Sequence, residues 1–106
     1  MIERRKSFRY TVLLPIRVSA LDTIGQAAHE GTVFDVSSAG VCFTLAKQQS
    51  LQVGTRVQLN ISLPEPNSTI EGIGRIVREG PSANGNAVSL AATFEQCELK
   101  RGQSVR

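Results

Sequence analysis

The chain of 106 residues has no tryptophan, one tyrosine, one histidine and two cysteines. A single histidine cannot assemble the usual imidazole-based metal cage, and His29, set between Ala28 and Glu30, reads as a solvated residue in a loop or at a strand start. Cys42 and Cys97 have neither the number nor the spacing of a disulfide framework or a CxxC metal clip. They are expected to be reduced thiols in a cytoplasmic protein, with Cys42 packed as a small hydrophobe. No apolar run approaches the roughly 18 residues of a membrane span. The first residues, Met1-Ile2-Glu3-Arg4-Arg5-Lys6, are charged where a secretory signal would turn apolar, so export through a cleaved signal is not expected. GxGxxG, GxxxxGK[ST], HExxH and GxSxG are all missing, and the carboxylates are scattered. No catalytic residue, no cofactor and no metal is therefore expected, and the chain does not read as an enzyme.

What is present is alternation with a period of two. Val12, Leu14, Ile16 and Val18 alternate with Thr11, Leu13, Pro15 and Arg17, which predicts a half-buried strand with Pro15 at an edge or bulge. Val57, Leu59, Ile61 and Leu63 repeat the pattern most cleanly, and Val88, Leu90, Ala92 and Phe94 show it again. Between them lie Gly31 to Val36, Val41 to Leu45, and Ile70 to Arg78, whose Gly72 and Gly74 suggest a bend or a close backbone approach. Turn chemistry separates the segments at Gly25, 37–40, 53–54, 64–68 and 80–86. Six short strands with frequent turns predict an all-β fold, an antiparallel barrel or sandwich, because an open sheet would leave one face and two edges uncovered. The one helical candidate is Phe94 to Lys100, stopped by Gly102. The length fits a single domain: a basic arm over 1–10, β structure over 11–94, and a short helix or tail over 95–106.

The net charge is only +3, but Arg4, Arg5, Lys6 and Arg9 fall within six residues. This concentration predicts a local anion site rather than a surface that binds polyanions throughout. Arg5-Lys6-Ser7-Phe8-Arg9 is an RxxxR; in an extended segment residues four apart share a face, so both guanidinium forks can converge on one ligand, while Lys6 points away and adds to the field. Such forks suit a phosphate or the O6/N7 edge of guanine. About thirty residues later comes Asp35-Val36-Ser37-Ser38-Ala39-Gly40, a DxSxxG at the junction of two expected strands. Its carboxylate can accept from guanine N1–H and N2–H2, its hydroxyl can meet a phosphate or sugar oxygen, and its glycine permits close backbone approach. Taken singly, each element is also what a solvated tail or an Asp/Ser-rich turn looks like.

Together, in this order and ahead of an all-β pattern, the two motifs resemble the PilZ domain family of bacterial cyclic di-GMP receptors, from Glu3 through about Phe94. The resemblance implies a six-stranded antiparallel β-barrel. It implies that Arg5 and Arg9 clamp the guanine edges and phosphates of cyclic di-GMP, and that Asp35, Ser37 and Gly40 complete the pocket. Arg4 stands where members that take an intercalated pair of ligands carry a further arginine, so two molecules per protomer are expected. Arg78 stands where some members stack an aromatic on a guanine. The charged arm is expected to be mobile by self-repulsion until ligand orders it, creating a surface for a downstream protein. Family members usually have a longer C-terminal helix than this chain offers. Two other readings remain: a PilZ-like adaptor that has lost nucleotide binding, and a β-barrel for single-stranded nucleic acid. The latter is disfavoured because it leans on exposed aromatics, and Phe34, Phe43 and Phe94 all read as buried.

Overall fold

The computed structural model describes residues 8–21, 28–82 and 85–101. It is built from seven strands: β1 (Arg9–Tyr10), β2 (Leu14–Ala20), β3 (His29–Ser37), β4 (Gly40–Ala46), β5 (Arg56–Ser62), β6 (Thr69–Pro81) and β7 (Ala87–Lys100). A 3-10 turn, Lys47–Gln49, follows β4. All pairings are antiparallel, in the order β3-β2-β5-β6-β7-β4, and β4 pairs back onto β3. The result is a closed six-stranded barrel, with the two-residue β1 added beside β2 on the same side of β3.

Alternation makes the core. Ile16 and Val18 of β2, Val33 and Val36 of β3, Val41, Phe43 and Leu45 of β4, and Val57, Leu59 and Ile61 of β5 all point inward. Ile70 and Ile76 of β6 and Leu90 and Ala92 of β7 complete the interior, and Phe43 is the largest side chain fully enclosed. Pro15 lies just outside the β2–β5 ladder, which begins at Ile16, so its missing N–H breaks none of those rungs.

Four expectations are corrected. Phe94 to Lys100 is not a helix but the second half of β7, paired with Thr69 to Gly74 of β6. Seven residues hold less than two turns of helix, whereas a ladder satisfies their backbone groups and lets Phe94, Cys97 and Leu99 pack on the core. Val12 is exposed, because the chain breaks between β1 and β2 and the alternation starts only at Leu14. Cys42 faces outward from β4, half-buried, between inward Val41 and Phe43. Phe34 is exposed as well, at 40%, for a reason found in β3.

That reason is a β-bulge. Val33 lies opposite Phe43 and Asp35 opposite Cys42, so Phe34 is an extra residue in the ladder. A second bulge in β6 makes Val77 the extra residue, since Ile76 faces Ala92 and Arg78 faces Ala91. A third leaves Glu95 of β7 unpaired between Phe94 and Gln96. Each adds twist and curvature of the kind that bends a sheet into a small barrel.

Glycine relieves the tightest crossings. A Cβ on Gly72 would approach the Gln96 carbonyl oxygen to 2.5 Å, and one on Gly74 would overlap that of Thr93, as a close-approach reading requires. On Gly31 it would overlap the carbonyl oxygen of Thr44, which is backbone and cannot swing aside. Gly31→Ala is therefore expected to lower stability by about 1–3 kcal/mol. Gly80→Ala, where a Cβ meets nothing within 4 Å, should leave stability nearly unchanged. Urea unfolding of the two variants checks this.

Candidate functional site

The two sequence motifs meet at one end of the barrel. Arg9 lies opposite Ser37 and Tyr10 opposite Val36, so β1 is laid along the last residues of β3. Half-buried Phe8 and Tyr10 anchor that strand against the core, with their ring centroids 6.2 Å apart. Anchored this way, Arg9 sends Nη2 to donate to Asp35 Oδ2 at 2.9 Å. The bulge explains why Asp35 is there to receive it. With Phe34 as the extra residue, both Phe34 and Asp35 face outward between inward Val33 and Val36.

Asp35 is only half satisfied. Its Oδ1 is buried and has no hydrogen-bond partner among the described residues. A shielded carboxylate oxygen without a donor carries its desolvation cost uncompensated, so an external N–H or O–H would be favourable there once the oxygen is uncovered.

The rest of DxSxxG forms the β3–β4 connection. Ser37 Oγ accepts from the Ala39 amide at 3.2 Å, a local bond that tightens the turn. The turn is held from both flanks: the Ser38 amide donates to the Phe8 carbonyl at 3.3 Å, and the Phe94 amide donates to the Ala39 carbonyl at 3.0 Å. Gly40 lies opposite Thr93, where a Cβ would come within 2.6 Å of the Ala92 carbonyl oxygen. The glycine is thus required by backbone proximity, not by a left-handed turn.

Arg78 shares the same outer row. Asp35 faces Cys42, Cys42 faces Ala91, and Ala91 faces Arg78. Three strand spacings put Arg78 about 14 Å from Asp35 around the wall, so the two flank a shared surface without touching. Half-buried Cys42 and buried Ala91, both small, lie in the row between them. Arg4 and Arg5 lie outside the described residues. Two shallow clefts occur elsewhere on the wall, one lined by Pro15, Arg17, Glu30 and Asn60, the other by Gln58, Glu71, Ile73 and Gln96. Neither contains a motif residue.

Other charges are committed to the fold. Glu95 Oε1 accepts from Arg56 Nε and Nη2 at 3.2 and 2.8 Å, and Arg75 lies 3.6 Å from Oε2. The Arg56 hydrogen bond, ahead of the charges of Arg56 and Arg75, holds the Glu95 carboxyl below its ordinary value. Lys100 does the same for Glu71 across a 3.0 Å ion pair, and Glu71 in turn raises Lys100. Burial pushes the Cys97 thiol up, away from the thiolate form that metals and electrophiles need. Among the described residues no cluster of three or more His, Cys, Asp or Glu side chains is placed to hold a metal, and no helix is long and apolar enough to cross a membrane.

Fold and motif geometry define a small closed barrel that brings a guanidinium, a carboxylate and the β3–β4 turn together on one outer wall. The chain belongs to the PilZ domain family, whose model matches residues 3–102. Members of this family are receptors for cyclic di-GMP that bind and regulate rather than catalyse. Among solved structures, the chain is similar to the Bacillus subtilis inhibitor of motility MotI/DgrA, with a TM-score of 0.70 and 20% identity over 92% of this chain and 45% of that one. It therefore spans less than half of that protein. The PilZ domain of YcgR from Escherichia coli, solved with c-di-GMP, matches with a TM-score of 0.58 and 18% identity over 88% of this chain and 79% of that one. No curated protein matches the sequence.

Because the Arg9 side chain is 65% exposed, its ion pair contributes little to folding, and Arg9→Ala should change urea-measured stability by no more than about 1 kcal/mol. Glu95 has its pKa lowered by folding, so its contribution is complete above the ordinary value of 4.5 and is lost as pH falls through the folded value. Stability measured from pH 6 to about pH 3 should therefore fall less steeply in Glu95→Gln than in the unaltered protein.

Proposed function

We infer that this chain is a cytoplasmic receptor that binds cyclic di-GMP between its N-terminal arm and the β3–β4 turn, and passes the bound state to a partner protein. The observation that carries this reading is the Arg9–Asp35 pair, which joins the two family motifs in space while leaving one Asp35 oxygen without a donor. Cyclic di-GMP carries two phosphates and two guanines, so it needs several cationic forks together with acceptors for N1–H and N2–H2. Arg5 and Arg9 supply forks and Asp35 is the acceptor. The Ser37 hydroxyl meets a phosphate or sugar oxygen, and Arg78 covers a guanine from beyond Cys42 and Ala91. Arg4 adds the further fork that a stacked pair of ligands requires, giving two molecules per protomer.

When ligand arrives, the Arg9 guanidinium exchanges part of its contact with Asp35 for phosphate, and the residues ahead of β1 fold over the nucleotide. That ordered arm and its nucleotide form the surface a partner reads. No enzymatic step is involved.

Isothermal titration calorimetry with cyclic di-GMP tests the reading. Saturable binding near two ligands per chain is expected, abolished by Arg9→Ala and weakened roughly 10-fold or more by Asp35→Ala. One ligand per chain would retain the receptor and discard the stacked pair. Absence of binding would overturn the receptor in favour of an adaptor without nucleotide, and oligonucleotide binding that cyclic di-GMP fails to compete would point to a nucleic-acid barrel.

A further inference from the structure

All five aromatic side chains are described, and four of them are committed to packing: Phe43 is fully enclosed, while Phe8, Tyr10 and Phe94 pack against the core. Phe34 is the exception. It is the inserted residue of the β3 bulge, 40% exposed, and faces outward immediately beside Asp35. A bulge needs an extra residue, but nothing about the backbone there needs an aromatic one. A polar side chain would satisfy the same geometry without placing a phenyl ring against water.

The surroundings narrow what the ring can serve. Next to it is a carboxylate whose Oδ1 is shielded and lacks a donor among the described residues, and beyond that carboxylate lie two small residues of the same row, half-buried Cys42 and buried Ala91. An occupant of this corner must bring N–H donors on an edge and a flat apolar face. An aliphatic side chain from a protein partner, docking on Phe34 with nearby exposed Val12 and Leu13, would cover the ring but leave Asp35 Oδ1 without a donor. A guanine supplies both requirements, since its N1–H and N2–H2 edge and its π face belong to one rigid plane.

The geometry points to Phe34 as a base-stacking residue of the ligand site, acting with Asp35 as one unit: the bulge sets a π platform and an edge acceptor side by side, and a single guanine engages both. This rests on the reading of the chain as a cyclic di-GMP receptor. It makes the bulge itself the element that selects a nucleobase, whereas the arginines select charge.

The test compares cyclic di-GMP binding to the unaltered chain, Phe34→Leu and Phe34→Tyr by calorimetry, with proton NMR of the ligand. Leucine keeps an apolar side chain but removes the π face, and a half-exposed position tolerates it without loss of fold. Phe34→Leu should raise Kd roughly 5- to 150-fold, the span produced by loss of one base–aromatic stack, while Phe34→Tyr stays within about 3-fold of the unaltered protein. The guanine H8 resonance of the bound ligand should move upfield under the Phe34 ring, and that shift should vanish in Phe34→Leu. If the unaltered chain binds and Phe34→Leu binds equally well with the same H8 position, stacking on Phe34 is wrong, the receptor reading stands, and the ring belongs to a protein contact. If the unaltered chain does not bind cyclic di-GMP, both readings fall.

Discussion

The structure depends on how β3 is shared. Its first half pairs with β2, its second half pairs with β4 on one side and with β1 on the other, and the bulge at Phe34–Asp35 lies in the second half. A strand with two full neighbours is ordinary, but here the β3–β4 contact is the one that turns an open six-stranded sheet into a closed surface. Closure removes the lateral edges and encloses the Val, Ile and Leu side chains that alternation provides. The bulge that helps β3 follow the curve also turns two consecutive side chains outward. Fold and candidate site are therefore consequences of one departure from regular pairing.

Glu95 and Glu71 contrast with Asp35. Glu95 uses both oxygens, one toward Arg56 and one toward Arg75, and Glu71 is met by Lys100 and Asn60. These groups bind β5, β6 and β7 together across their outer faces and have no unspent acceptor. Asp35 has a guanidinium on one oxygen and, among the described residues, no partner on the other. Exposed ion pairs like those of Glu95 and Glu71 are common surface reinforcement, whereas a shielded acceptor left open is unusual in a structure otherwise so thoroughly paired.

Much of the fold was legible because the core lies on one face of every strand, so that Val57, Leu59 and Ile61 had to alternate with polar residues wherever they sat. The two motifs were legible too, as forks and acceptors at particular spacings, and Arg9 and Asp35 do come together. What escaped was every feature caused by a break in alternation. Phe34 read as buried because its apolar neighbours Val33 and Val36 are buried, and a bulge that reverses the parity leaves no mark on composition. Val12 read as inward because the β1–β2 interruption at residues 11–13 contains no glycine. Phe94 to Lys100 read as helical because the pairing that makes it a strand comes from Thr69 to Gly74, a contact no local window contains. Arg78 gained its place in the Asp35 row only through the β6 bulge, and its distance from Asp35 could not be read from sequence at all.

The far half of β7 has one more implication. Beyond Phe94 the strand outruns β4, and among the described residues it pairs only with β6, so the closed barrel regains a short open edge at one end. Such an edge is a template on which another copy of the chain could polymerise. Glu95, unpaired at its bulge, breaks the regular row of amides, and Glu98, Lys100 and Arg101 place charges along the remainder. They act as gatekeepers, making sheet extension cost bad backbone geometry and confronted charge. The second half of β7 thus braces the end of the barrel while carrying charge along the side that pairs with nothing among the described residues.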